Sequence, residues 1–181
     1  MHTILGAGGA VANALTRELT NNNETIRLVS RKPIANTAKN ISWKKADLLN
    51  YAEVLDAAKG SSVIYLTAGL VYDKNIWRAQ WPVVMQNAIN AAKETGARLI
   101  FFDNVYMYGL VDGPMTEETP YNPCSAKGEV RAKIATLLMD EAKAGNIKVS
   151  IARAADFYGT ENKNSKRFPG FHDNEIKEFR A

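Results

Sequence analysis

Met1-His-Thr-Ile-Leu-Gly6-Ala-Gly8-Gly9-Ala-Val-Ala12-Asn-Ala-Leu15 opens the chain and decides how the rest of it is read. A short apolar run enters three glycines, and Val11, Leu15 and Leu19 follow at intervals of four. That spacing puts the three side chains on one helical face, so the stretch predicts strand, turn and helix. Glycine permits the tight turn and lets a phosphate approach backbone with no Cβ in the way. The free N–H groups of the helix's first turn then face the anion. Gly-x-Gly-x-x-Gly is not present, because Val11 occupies its last position. The spacing is Gly6-x-x-Gly9-x-x-Ala12, with alanine as the mildest replacement where a helix must pack closely on a strand. Many strand–helix turns use glycine for geometry alone; the strand before this one and the amphipathic helix after it favour a nucleotide site.

Working outward, residues 25–30 read as a second strand ending at Ser30, Arg31 and Lys32. At this place an NAD site holds an Asp or Glu against the ribose 2′-hydroxyl. A carboxylate would repel a 2′-phosphate, whereas arginine binds one bidentately. Ser30 and Arg31 therefore favour NADP(H) over NAD(H), against the plainer reading of surface cations at a strand end. Residues 41–45 form a short third strand, followed by Asp47-Leu48 and a helix through Val54, Leu55 and Ala58 that stops at Gly60. Residues 62–66 are a buried strand ending in the small residues Thr67, Ala68 and Gly69. Ligands of open α/β sheets lie across such strand ends.

Trp77, Trp81, Val84, Met85, Ala88, Ile89 and Ala92 keep a helical period suited to core packing. Pro82 predicts a break or kink, with the main helix over 81–95 and Gly96 as its stop. A strand over 97–102 leads to Asp103, Asn104, Tyr106 and Tyr108. A loop with three prolines leads to a helix over 125–144, whose apolar face is Val130, Ile134, Leu137, Leu138 and Glu141. A last strand covers 147–153. Alternating strands and helices predict an α/β fold with a doubly wound parallel sheet. Residues 1–160 read as one Rossmann-like NAD(P)-binding domain and 161–181 as a polar tail, with a helical turn over 176–180.

Composition limits the function classes. With 181 residues, 46% hydrophobic and 23% charged, the profile is that of an ordinary soluble domain. The net charge of +4 is scattered, and no basic stripe with interleaved aromatics points to nucleic acid. Cys124 is alone, which rules out an internal disulfide and suits a reducing, cytoplasmic setting. His2 and His172 make no metal site with it, so no metal is expected. No run reaches membrane-spanning length, and no signal peptide precedes the first strand.

The order of these signals resembles the extended and atypical short-chain dehydrogenase/reductases, the NAD(P)-dependent epimerase/dehydratase group. Gly6-x-x-Gly9-x-x-Ala12 is similar to the family's phosphate loop, Asp47-Leu48 to its adenine-contacting pair, and Leu66-Thr67-Ala68-Gly69 to its ribose-lining segment. Thr116-Glu117-Glu118-Thr119-Pro120 with Asn122-Pro123 resembles the loop before its catalytic helix. Arg153-Ala-Ala-Asp156-Phe-Tyr158-Gly159 resembles its Arg-Pro-x-Asn-Val-Tyr-Gly. The resemblance covers about residues 2–160 and implies an oxidoreductase or epimerase-like activity, with dimerisation through the helices near 75–95 and 125–144.

The chemistry departs from the family pattern. None of the seven tyrosines has a lysine four positions later, so Tyr-x-x-x-Lys is absent. By resemblance, Asn104 stands at the catalytic serine, Lys127 at the tyrosine and Arg131 at the lysine. Lys127 and Arg131, at i and i+4, share one helix face. Lys127 could exchange a proton with a substrate oxygen, Arg131 could hydrogen-bond the ribose, Asn104 could orient a carbonyl, and Tyr106 or Tyr108 could supply a phenol. The other reading is that catalysis is lost and both cations lie on the surface. Cys124 reads as incidental. Family members carry a C-terminal substrate-binding part after this point, and the sequence ends soon after Gly159, so a truncated form, a fragment, or a substrate part supplied by another chain is expected. Two functions remain open: an NADP(H)-dependent enzyme acting on an unidentified small molecule, or a non-catalytic NADP(H)-binding redox sensor acting through a protein partner.

Overall fold

A computed structural model describes residues 1–35 and 38–155. The strands are β1 (His2–Leu5), β2 (Ile26–Ser30), β3 (Ile41–Lys45), β4 (Val63–Leu66), β5 (Arg98–Asp103) and β6 (Val149–Arg153). The helices are α1 (Ala10–Asn21), α2 (Tyr51–Ala58), α3 (Lys74–Thr95) and α4 (Ala126–Lys143). All strand pairs are parallel, in the order β3-β2-β1-β4-β5-β6. That is the doubly wound sheet expected from the alternating pattern. Chain direction across the sheet reverses between β1 and β4, where Leu5 lies opposite Leu66. A crevice opens outside the carboxyl ends of the strands at such a reversal.

Alternating side chains divide the core into two layers. Ile4, Ile26 and Leu28 pack with Ala12, Leu15 and Leu19 of α1 on one face. Leu5, Val29, Leu66, Leu99 and Phe101 pack with α2, α3 and α4 on the other. Local chemistry sets the helix ends. Asn50 caps α2 by accepting from the Glu53 N–H, and the Glu53 carboxylate accepts in return from the Asn50 amide at 3.0 Å. Gly96 ends α3 with φ of 68°, and Ser125 caps α4 by accepting from the Gly128 N–H at 3.1 Å.

Two expectations are corrected. Pro82 does not divide the third helix, which begins at Lys74 rather than at 81. Asp73 Oδ1 accepts from the N–H groups of Asn75 and Ile76 and starts the helix early. Trp77 and Trp81, both buried, then anchor it before the proline. Pro82 removes only the N–H meant for the Arg78 carbonyl. Glu141 is not part of an apolar face: it accepts from Lys93 of α3 at 2.7 Å, while Arg131 and Ala135 are buried beside Val130, Ile134 and Leu138. The expectations for Asp156, Phe157, Tyr158, Gly159 and the 161–181 tail lie outside the described residues. Among the described residues no helix is long and apolar enough to cross a membrane.

Candidate functional site

The glycine turn lies at the reversal of strand order. Gly6 and Ala7 donate to the Val29 carbonyl, at 3.1 and 2.9 Å, which joins the end of β1 to β2. Gly6 has φ of +90°, and a Cβ there would lie 2.4 Å from Ala68 Cα. The chain leaving β1 therefore touches the chain leaving β4, and only glycine fits between them. Gly8 also has positive φ, +99°. Gly9 differs: it caps α1 with φ of −87°, no side-chain cap is present, and a Cβ there would meet nothing within 4 Å. Gly69 has the same open surface. Ala12 is buried in the α1 face that packs on the sheet. The sequence shows three similar glycines; the structure separates two that shape the turn from one that leaves the start of α1 bare. A bare helix start beside small residues at two strand ends fits a dinucleotide pyrophosphate.

The flanking residues divide in the same way. Ser30 Oγ donates to the Lys32 carbonyl at 2.6 Å and accepts from Trp43 Nε1 at 2.9 Å, so it closes the turn after β2. Arg31 is exposed beside it. Asp47 Oδ1 accepts from the Leu49 N–H at 3.0 Å, and the Leu48 carbonyl accepts from Asn87 of α3 at 2.9 Å. This pair fixes the entry to α2. Thr67 donates twice to the Leu5 carbonyl, through its N–H at 3.0 Å and its hydroxyl at 3.3 Å.

The carboxyl end of β5 brings together the other set. Asn104 is buried, and its Oδ1 accepts from the Tyr106 N–H at 3.0 Å. That leaves its amide N–H groups for another acceptor. Gly128 lets α4 approach this loop, since a Cβ there would lie 2.4 Å from the Tyr106 carbonyl oxygen. Tyr106 and Lys127 consequently border one cavity of about 340 Å³ with Tyr72, Lys74, Ser125 and Ala126. Lys127 Nζ lies 2.9 Å from the Tyr72 ring centroid and donates to the Tyr72 carbonyl at 3.5 Å.

Arg131, one turn further along α4, goes inward. It is 7% exposed, with Cζ 4.1 Å and 4.7 Å from the ring centroids of Trp81 and Trp77. Its Nη1 lies 3.3 Å from Asp103 Oδ1, while Arg153 Nε lies 3.7 Å from Asp103 Oδ2. Arg153 also donates to the hydroxyls of Tyr108, at 2.7 Å, and Tyr121. Loss of water pushes the Asp103 carboxyl up to about 6, against the pull of Arg131, the Asn104 N–H and Arg153. Neither contact with an arginine is a hydrogen bond for Asp103 Oδ2 or Arg131 Nη1. Burial likewise pushes Arg131 below its ordinary value, with Asp103 opposing. The structure thus separates Lys127, at the cavity, from Arg131, under the tryptophans. Asp103, Trp77 and Lys74 gave no functional signal in the sequence.

An all-parallel sheet of this order, with a glycine turn at its reversal, is a Rossmann-like α/β fold. More narrowly, the chain belongs to the NAD dependent epimerase/dehydratase family, whose model matches residues 2–177. Cinnamoyl-CoA reductase 1 of Petunia hybrida is 29% identical over an alignment covering 58% of this chain and 36% of that protein. Among solved structures, the Bordetella bronchiseptica enzyme WbmH in complex with NAD+ is 17% identical with a TM-score of 0.75, covering 91% of this chain and 58% of that one. A dTDP-glucose 4,6-dehydratase double mutant from Streptomyces venezuelae, with NAD bound, is 16% identical with a TM-score of 0.76, covering 90% and 57%. The chain spans little more than half the length of these structures and about a third of the curated relative.

Proposed function

We propose that this chain binds NADP(H) in preference to NAD(H) and takes part in carbonyl–carbinol chemistry as an oxidoreductase or epimerase-like enzyme. The observation that carries the cofactor reading is the Gly6–Ala68 contact, with bare surface over Gly9 and Gly69 at the sheet's reversal. Arg31, exposed at the end of β2, supplies the preference for a 2′-phosphate. When bound, the cofactor supplies or accepts the hydride. The protein's part is to orient and protonate. Asn104, its amide oxygen held by Tyr106, presents N–H groups to a substrate oxygen. Lys127 gives that oxygen its proton, with Tyr106 across the same cavity. Arg131 acts at a distance: it neutralises Asp103 and fixes α4 against β5.

A second reading is favoured by one observation. Arg131, the cation that resemblance sets at the family's lysine position, is buried and held by Asp103 and two tryptophans. In that reading the chain binds NADP(H) without turnover and signals to a protein partner. Titrating the chain with NADPH and NADH by fluorescence, then following NADPH oxidation against a carbonyl panel, separates the two. Tight NADPH binding with turnover that Lys127→Met abolishes supports the enzyme. Tight binding with no turnover, in a form carrying the full family-length C-terminal region, supports the module.

A further inference from the structure

We propose that the cavity between the β4–α3 connection and the start of α4 binds a carboxylate carried on a planar, conjugated frame. Placing this ligand beside Lys127 as a substrate rests on the reading above; its binding does not. The cavity holds about 340 Å³, within the range of small-molecule sites. Its lining has two lysines, two tyrosines, Ser125 and Ala126, and no carboxylate. Among the described residues neither Lys74 nor Lys127 makes an ion pair. An ammonium has three N–H donors, and the Tyr72 carbonyl takes one from Lys127.

The nearby Asp73 does not fill this role. Its Oδ1 accepts from the Ile76 and Asn75 N–H groups, which, with a weaker pull from Lys127 and Lys74, hold its carboxyl below the usual range; it caps α3 and forms no ion pair with either lysine among the described residues. Glu129 pairs with Arg78 at 3.6 Å, not with either lysine. Tyr106 borders the cavity with its ring braced against Trp77 at 19° between planes, while the Tyr72 ring, edge-on to the same indole, carries the Lys127 ammonium. A planar acid placed here gains two cations for its carboxylate and the Tyr106 ring for its frame, at low conformational cost.

The test uses the full chain without cofactor and follows binding by calorimetry with three probes: benzoate, its neutral isostere benzamide, and acetate. Benzoate is expected to bind at least tenfold more tightly than either of the others. Lys74→Met, at an exposed first position of α3, is expected to weaken benzoate about tenfold, and Lys74→Arg to restore most of it. Equal binding of benzoate and benzamide, or no effect of Lys74→Met, overturns the proposal. A parallel NADPH titration keeps the two readings apart. NADPH binding without benzoate binding overturns this inference alone, and benzoate binding without NADPH binding overturns only the cofactor reading.

Discussion

Gly6 and Gly9 make opposite predictions, although the sequence presents them as members of one motif. In Gly6→Ala the new methyl carbon lies 2.4 Å from Ala68 Cα and 2.6 Å from its nitrogen. Both are backbone atoms of the neighbouring strand end, so no flexible side chain can give way. Positive φ adds about 1–2 kcal/mol for a residue with a Cβ. Overpacking adds about 1–3 kcal/mol. The expected loss is therefore roughly 2–5 kcal/mol, a large part of the ~5–15 kcal/mol that holds an ordinary domain. At roughly 2–4 °C per kcal/mol for a chain of this length, Tm should fall by roughly 5–20 °C. Gly9→Ala meets no such obstacle, because its φ of −87° suits any residue and no atom lies within 4 Å of the new methyl. Exchanging Gly for Ala at a helix cap costs no more than about 1 kcal/mol. The methyl does cover the bare start of α1. Each charge-assisted hydrogen bond lost from a phosphate is worth about 1.5–3 kcal/mol, so NADPH affinity should fall about tenfold or more. Thermal unfolding and an NADPH fluorescence titration on both variants decide the matter. A Gly9→Ala chain with wild-type affinity removes the glycine turn from the cofactor site, and a Gly6→Ala chain with wild-type Tm refutes the packing account.

Three further outcomes follow from the flanking residues. Arg31→Asp exchanges a 2′-phosphate partner for a repelling charge, so NADPH binding should weaken about tenfold or more while NADH binding holds; equal loss of both in paired titrations removes Arg31 as the discriminator. Arg131→Met takes the nearer cation from Asp103, and breaking a buried pair this way costs about 3–5 kcal/mol; urea unfolding should show it, with NADPH affinity in the folded variant nearly unchanged. Asp103→Asn should change the pH dependence of stability. The carboxyl ionises near 3.8 in the unfolded chain and near about 6 in the folded one. The folded state therefore holds the extra proton between those values, and this group's contribution, full at the acid end, is lost as pH rises to about 6. The wild-type-minus-variant unfolding free energy should fall over that window and then level; a difference that rises with pH contradicts the burial argument.

Much of the fold was legible because it rests on periodicities. Val11, Leu15 and Leu19 repeat at helical spacing, directly after the glycine turn that ends β1. The start of α3 was not legible. Pro82 carries a strong local signal, but burial of Trp77 against Trp81, and of Trp81 against Phe101, outweighs one missing hydrogen bond, and that packing exists only once the sheet is assembled. The glycines show the same limit from the other side. Their identity marks the turn, yet which of them faces the neighbouring strand depends on the Gly6–Ala68 contact, 62 residues apart in the chain.

Lys127 and Arg131 show why one helix face does not make one site. Their spacing places them together, and by resemblance alone each stands where the family has a catalytic group. A single turn of α4 carries the chain from the cavity rim to the space beneath Trp77, where an exposed partner is replaced by Asp103. A buried arginine charge without a counter-ion would be costly, and a buried Asp103 without Arg131 would be pushed still further from ionisation. Asp103 and Arg131 therefore depend on each other. Arg131 also suits this place better than lysine, because a flat guanidinium lies against both indole rings, whereas an ammonium is a compact, strongly hydrated charge. The four residues Asp103, Asn104, Lys127 and Arg131 divide into two units: a buried ion pair that fixes α4 on β5, and the two groups next to it in the chain, buried Asn104 at the end of β5 and Lys127 at the cavity rim. Chemistry at this site, if the cofactor reading stands, falls to the second unit, and its geometry depends on the first.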